Sequence, residues 1–173
     1  MRKPRQVVDG GRYHVVARAN RGEFILHADE MKELFVGTLE RAKVKYRFRI
    51  EMFCIMNNHF HLVVEVQSGE SLSRLMQWIL SVFAMRYNRL HGFKGHVWYD
   101  RFKSSVIGTL RHYLATIEYV VRNPVIAGIA SHVTVYPWTG LQWWRLPGQT
   151  LVAPPSALFR LCFAHLLPCA LTS

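Results

Sequence analysis

Two histidines two residues apart, His59 and His61, and a tyrosine and an asparagine four apart, Tyr119 and Asn123, are the side chains whose types and spacing could do chemistry. In an extended segment residues i and i+2 share a face. Alternation therefore sets the two imidazoles side by side while Phe60 between them points the other way. Two imidazoles so placed can share a divalent metal, and they are equally what a solvated strand face presents; the spacing leaves both readings open.

Tyr119 and Asn123 belong to a helical pattern. Leu110, Tyr113, Leu114, Ile117 and Val121 recur at i, i+3, i+4, i+7 and i+11 and form an apolar stripe. His112, Thr116, Tyr119 and Asn123 recur at i, i+4, i+7 and i+11 on a second stripe. Tyr113 thus has the address of a core residue and Tyr119 sits on a polar ridge, as a reactive hydroxyl or as an ordinary surface residue. Asn123 follows one turn later, where its carbonyl oxygen could serve as a third metal ligand. Together these groups suit phosphoryl transfer. A metal held by two imidazoles and an amide oxygen keeps positions open for phosphate oxygens, and a phenol attacking phosphorus leaves a covalent phosphotyrosine. The mixed nitrogen and oxygen donors point to Mg²⁺ or Mn²⁺, with imidazole favouring manganese. Glu65 shares the histidine face, either as a hydrogen-bond partner of the ligands or as a solvated carboxylate.

Residues 13–19, β-branched and aromatic after Gly10-Gly11, predict a first strand. Asp29 can cap a helix with Met31, Leu34, Phe35, Leu39 and Ala42 on its buried side. From Lys43 the period changes to two: Lys43, Lys45, Arg47 and Arg49 fall on one side, and Val44, Tyr46, Phe48, Ile50 and Met52 on the other. After Asn57-Asn58, residues 59–66 alternate again as an antiparallel partner. Ser71 caps a second helix striped by Leu72, Leu75, Met76, Ile79, Phe83 and Tyr87. Residues 97–107 predict a fourth strand, and Thr109 caps a third helix ending near Pro124. This order suits an α+β fold: a ferredoxin-like antiparallel sheet with both early helices on one face, and the tyrosine helix beside the histidine strand. Residues 1–140 carry the pattern as one catalytic domain. Residues 141–173, rich in Pro, Trp and Leu with weak periodicity, form a C-terminal tail.

The 173 residues are 50% apolar and 19% charged, which excludes disorder. A net charge of +11 makes nucleic acid the leading partner class. A membrane span is not expected, because the most apolar stretch, 151–171, is interrupted by Pro154, Pro155, Arg160, His165 and Pro168. Three cysteines without a C-x-x-C pair, and no signal peptide, predict a cytoplasmic protein, nucleoid-associated when bound to DNA. Cys162, His165 and Cys169 fit no standard zinc spacing. The cation row Lys43, Lys45, Arg47 and Arg49 can follow a phosphate backbone beside the histidines or form a solvated face. Arg2, Lys3 and Arg5 form a basic arm, and Arg18, Arg21, Arg101 and Lys103 are further DNA-binding candidates near the sheet ends. Trp98, Tyr99, Trp143 and Trp144 can stack unpaired bases or fill a core.

The string Ile55-Met56-Asn57-Asn58-His59-Phe60-His61-Leu62-Val63-Val64 resembles the histidine-hydrophobe-histidine signature of the HUH single-tyrosine transposases. Tyr119-Val120-Val121-Arg122-Asn123-Pro124-Val125 is similar to that family's tyrosine helix, and Tyr13-His14-Val15-Val16-Ala17-Arg18 and Trp98-Tyr99-Asp100-Arg101-Phe102-Lys103 follow the family's order. The branch it most resembles is the REP-associated group. Glu118 and Ile126 depart from it, standing where members often carry basic residues. The resemblance implies that His59, His61 and Asn123 hold the metal and that Tyr119 attacks the scissile phosphate of single-stranded DNA beside a hairpin or palindrome. A 5′-phosphotyrosine forms, a 3′-OH leaves, and strands are rejoined by the reverse step, in a monomer or a homodimer. Two other classes compete: a non-catalytic hairpin-binding regulator on the same scaffold, and a small metal-dependent hydrolase that would not need Tyr119.

Overall fold

Seven alternating residues after Gly11 make β1 (Arg12–Arg18), with Tyr13, Val15 and Ala17 buried on one side and Arg12, His14, Val16 and Arg18 on the other. The computed structural model describes residues 7–164. The elements that follow are α1 (Asp29–Lys45), β2 (Phe48–Ile55), β3 (His59–Val66), α2 (Leu72–His91), β4 (Lys103–Val106), α3 (Leu110–Ile126), α4 (Gly140–Trp143) and α5 (Ala157–Phe163). The strands lie in the order β2-β3-β1-β4 with every pairing antiparallel, the expected ferredoxin-like sheet. Helices α1 and α2 cover one face, where Phe35 packs on Phe60 at 4.4 Å and on Phe83 at 5.6 Å. Helix α3 crosses the opposite face, against β2 and β3.

Ser71 and Thr109 cap α2 and α3, accepting hydrogen bonds from the amides of Arg74 and His112. Gly92, at φ 65°, ends α2 in the left-handed conformation that glycine takes without strain. Helix α1 departs from expectation at both ends. Its cap is Ala28; Asp29 lies in the first turn, where its carboxylate accepts from Lys32 and from the Trp138 indole. At the far end the helix runs on through Lys43, Val44 and Lys45, with Val44 92% exposed, so these three are not strand residues. The Tyr46 amide donates to Ala42 at 2.8 Å and closes the last turn, and lysines there meet the negative end of the helix dipole. The alternation expected from Lys43 therefore becomes a strand only from Phe48.

The fourth strand is also shorter than expected. Before Lys103 only an isolated bridge, Ala19 to Trp98, links the segment to the sheet, because the Trp98 indole turns inward to donate to Leu80 and pack on Phe60 and Phe83. In α3, Leu110 is exposed in the first turn, and the buried stripe is Tyr113, Thr116, Ile117, Val120, Val121 and Pro124. Pro124 sits inside the final turn, and the Ala127 amide bonds to Asn123 to complete it.

Residues 138–159 cover the edge of the sheet. Val152 bridges Ile50, Thr139 bridges Cys54, and Tyr136 donates to the Ile55 carbonyl at 2.7 Å, so β2 is not left as an open edge. Gly140 lies so close that a Cβ there would meet Met52 Sδ at 2.8 Å. Trp144 is buried against Phe159 and donates to the Ala153 carbonyl. Trp144→Ala should therefore cost about 3–5 kcal/mol of stability, measured by urea unfolding; a change under about 1 kcal/mol would show that this segment is not part of the core.

Candidate active site

The histidine strand β3 lies at the centre of the sheet, where each residue has an ordered neighbour. Register sets His59 opposite Arg18 and His61 opposite Val16 of β1. Helix α3 is held over this face by Arg12, whose guanidinium grips Glu51 through two hydrogen bonds of 2.6 and 2.9 Å and lies 4.8 Å from the centre of the Tyr113 ring. Burial pushes the Glu51 carboxyl up, with Arg12 opposing it. Tyr119, further along the same helix, meets His61 edge-on with ring centres 5.5 Å apart and His14 at 6.0 Å. The Asn123 amide nitrogen donates to the Tyr119 carbonyl at 2.7 Å. Beside these rings is a cavity of about 380 Å³, lined by His59, His61 and Tyr119 and by the cationic side chains of Arg18, Arg101 and Lys103.

Burial depresses the basicity of all three histidines. His61 is pulled from 6.5 to about 3 by burial, then by the neighbouring His14 and His59; the Asn123 side chain works the other way. His14 falls to about 4 through burial and His112. His59 is lowered by burial and Arg18. At neutral pH the rings are uncharged, as a metal ligand must be. His61 Nδ1 bonds to His14 at 2.9 Å, while its Nε2 is buried without a hydrogen-bond partner. His59 Nδ1 bonds to Asn58 Oδ1 at 2.8 Å.

These shifts carry a stability consequence. Below pH 6.5 the unfolded chain takes up imidazole protons that the folded chain refuses until about pH 4 at His14 and about pH 3 at His61, so stability is lost as pH falls. In EDTA the thermal midpoint should drop between pH 6.5 and about 5, above the range where most carboxylates titrate. A flat midpoint over that window would contradict the buried, neutral rings.

Among known families, the model for IS200-like transposases matches residues 7–123, more than half of the chain. The chain belongs to the IS200-like transposase family. Among solved structures it is similar to a REP-associated tyrosine transposase bound to a REP hairpin, with TM-score 0.72, 19% identity, and coverage of 90% of this chain and 93% of that one. A putative transposase from Deinococcus radiodurans R1 gives TM-score 0.46 at 17% identity over 71% of this chain and 97% of that one. The first likeness shows the shared α+β fold. Among curated proteins none matches the chain.

For this member of the family, the structure brings together His59, His61, Tyr119 and Asn123 with Arg18, Arg101 and Lys103. It does not bring in the expected cation row. Lys43 and Lys45 leave the strand for α1, where Lys43 reaches the carbonyls of Thr150 and Leu151 and Lys45 lies over Tyr46 and Trp78. Arg47 pairs with Glu70, and Arg49 with Glu65. Glu65 thus serves Arg49 and Arg12, away from the histidines. Arg21 occupies the tight turn after β1 at φ 53°. Arg2, Lys3, Arg5, His165 and Cys169 lie outside the described residues. Of the four candidate stacking residues, Trp98, Trp143 and Trp144 pack inward and Tyr99, 72% exposed, lines the cavity. The residue that sequence reading missed is His14. Alternation in β1 already put it on the face of Arg18, but only the β1–β3 register reveals it as His61's neighbour.

Proposed function

We propose that this chain is a metal-dependent strand transferase that cleaves and rejoins single-stranded DNA near hairpins, with Tyr119 as nucleophile. The observation that carries the reading is the Tyr119 ring set edge-on to His61 at the rim of a cavity lined with cations. A hydrolase that activates water would not need the phenol as a nucleophile. A regulator that only binds DNA would gain nothing from a buried imidazole nitrogen without a partner.

A divalent metal fits these residues. His61 Nε2 is the orphaned buried atom a ligand would satisfy, the rings are neutral, and His59 stands beside it with ring centres 5.0 Å apart. Among the described residues no three His, Cys, Asp or Glu side chains gather into a metal site; His59 and His61 would hold the ion, with the Asn123 amide as the third protein donor. Mg²⁺ or Mn²⁺ suits such mixed donors, and when bound it withdraws charge from the scissile phosphate. The protein does the rest. Arg18, Arg101 and Lys103 draw in and hold the backbone phosphates, and exposed Tyr99 offers a face for an unpaired base. Tyr119 Oη then bonds to phosphorus as the phosphorus–O3′ bond breaks. The phenol gives up its proton, the departing 3′ oxygen gains one, and attack by a second 3′-OH reverses the step.

The relative solved with a REP hairpin supports hairpin DNA as the partner. Cytoplasmic location at the nucleoid follows from that substrate; among the described residues no helix is long and apolar enough to cross a membrane. The test is a denaturing gel of protein mixed with labelled single-stranded hairpin oligonucleotides from DNA flanking its own gene. A covalent band with Mn²⁺ or Mg²⁺, absent in EDTA, is expected. Tight binding in a native gel with no covalent band across the flanking hairpins would favour the regulator instead.

A further inference from the structure

We infer that His14 is a positioning residue: it accepts the Nδ1 proton of His61 and thereby fixes the tautomer that turns the Nε2 lone pair of His61 toward the metal position. The inference rests on the reading of His61 as a ligand.

The two rings are joined edge to edge. His14 Nε2 lies 2.9 Å from His61 Nδ1, and the ring planes differ by 16° with centres 5.2 Å apart, so the lone pair and the N–H lie in nearly one plane. A neutral imidazole carries one proton, and two arrangements satisfy this bond. If His14 donated, the His61 proton would sit on Nε2, a buried N–H that makes no hydrogen bond although the Asn123 side chain acts on the ring. If His61 donates, Nε2 carries a lone pair, and a ligand can use it. The second arrangement leaves no buried donor unsatisfied.

His59 has an equivalent arrangement. Asn58 donates its amide nitrogen to the Gly22 carbonyl at 3.2 Å, which settles the orientation of the amide and leaves Oδ1 to accept from His59 Nδ1 at 2.8 Å. Each histidine of the pair thus has its Nδ1 proton taken by a neighbour and its Nε2 free. His14 cannot itself join His61 on one ion, because it stands behind the ring, at the edge remote from Nε2. A metal-bound histidine usually donates its other nitrogen to a fixed acceptor, and loss of that acceptor weakens metal binding by about 10–100-fold.

The test is a Mn²⁺ titration followed by electron paramagnetic resonance on wild type, His61→Ala, His14→Phe and His14→Gln, each checked for folding by circular dichroism. His14→Phe keeps the ring volume and removes the acceptor; His14→Gln restores an amide oxygen near the position of Nε2. Expected are a Kd raised about tenfold or more in His14→Phe and one within about threefold of wild type in His14→Gln. A folded His14→Phe with wild-type affinity overturns the inference while leaving His61 as a ligand. Wild-type binding that His61→Ala does not weaken overturns the ligand reading and the inference with it. Long-range proton–nitrogen correlation on the metal-free wild type decides the tautomer without any variant: Nδ1 of His61 protonated is expected, and a proton on Nε2 overturns it.

Discussion

Tyr119→Phe is expected to abolish the covalent DNA adduct while leaving DNA binding within about threefold of wild type. The substitution removes one oxygen. The ring stays edge-on to His61 and His14, and Tyr119 is half exposed, so packing and fold are undisturbed. Loss of a nucleophile that forms the covalent intermediate costs at least about 10³-fold in rate. Tyr113, the other tyrosine of α3, cannot substitute. It is buried under Arg12, and burial together with Glu51 pushes its phenol up to about 12. Denaturing and native gels on the same reactions read both quantities. An adduct persisting in Tyr119→Phe would move the nucleophile elsewhere.

His61→Ala should have the second largest effect. It removes the imidazole whose free Nε2 is the best-placed ligand, so metal-stimulated cleavage should fall by more than about 100-fold, beyond what losing an outer hydrogen-bond partner costs. Binding of hairpin DNA in EDTA should be unchanged, since the charges available to phosphate are those of Arg18, Arg101 and Lys103, which line the cavity and remain. Cleavage rates against Mn²⁺ concentration, paired with binding in EDTA, separate the two roles. If cleavage kept the wild-type dependence on Mn²⁺, His61 would be a core residue and not a ligand.

Much of the fold was legible because its signals are local and periodic. The alternation in residues 59–66 and the periods of α2 and α3 survive as β3, α2 and α3, although the buried stripe of α3 leaves out Leu110 and takes in Thr116, and Ser71 and Thr109 cap where expected. The misread stretch, Lys43 to Arg47, lies where a helix ends and a strand begins, and there five residues satisfy either period. The aromatic side chains divided by burial, which composition cannot show: the bulk of Trp98 turned it inward and shortened β4, while Tyr99 beside it stayed in solvent. Within the site, the residues on one element were readable together, His59 with His61 and Tyr119 with Asn123. Contacts across elements were not. His14 meets His61 only through the β1–β3 register, and Arg12 holds α3 in place through Glu51 on β2, pairings set by tertiary structure.

The bond from Tyr119 Oη to DNA phosphorus is read most directly by mass spectrometry of the protein after reaction with a hairpin oligonucleotide and Mn²⁺, followed by nuclease and protease digestion. A nucleotide mass is expected on the peptide carrying Tyr119, with fragment ions placing it on that residue and none formed in EDTA. A nucleotide on any other residue, or cleaved DNA with no modified peptide, would contradict it.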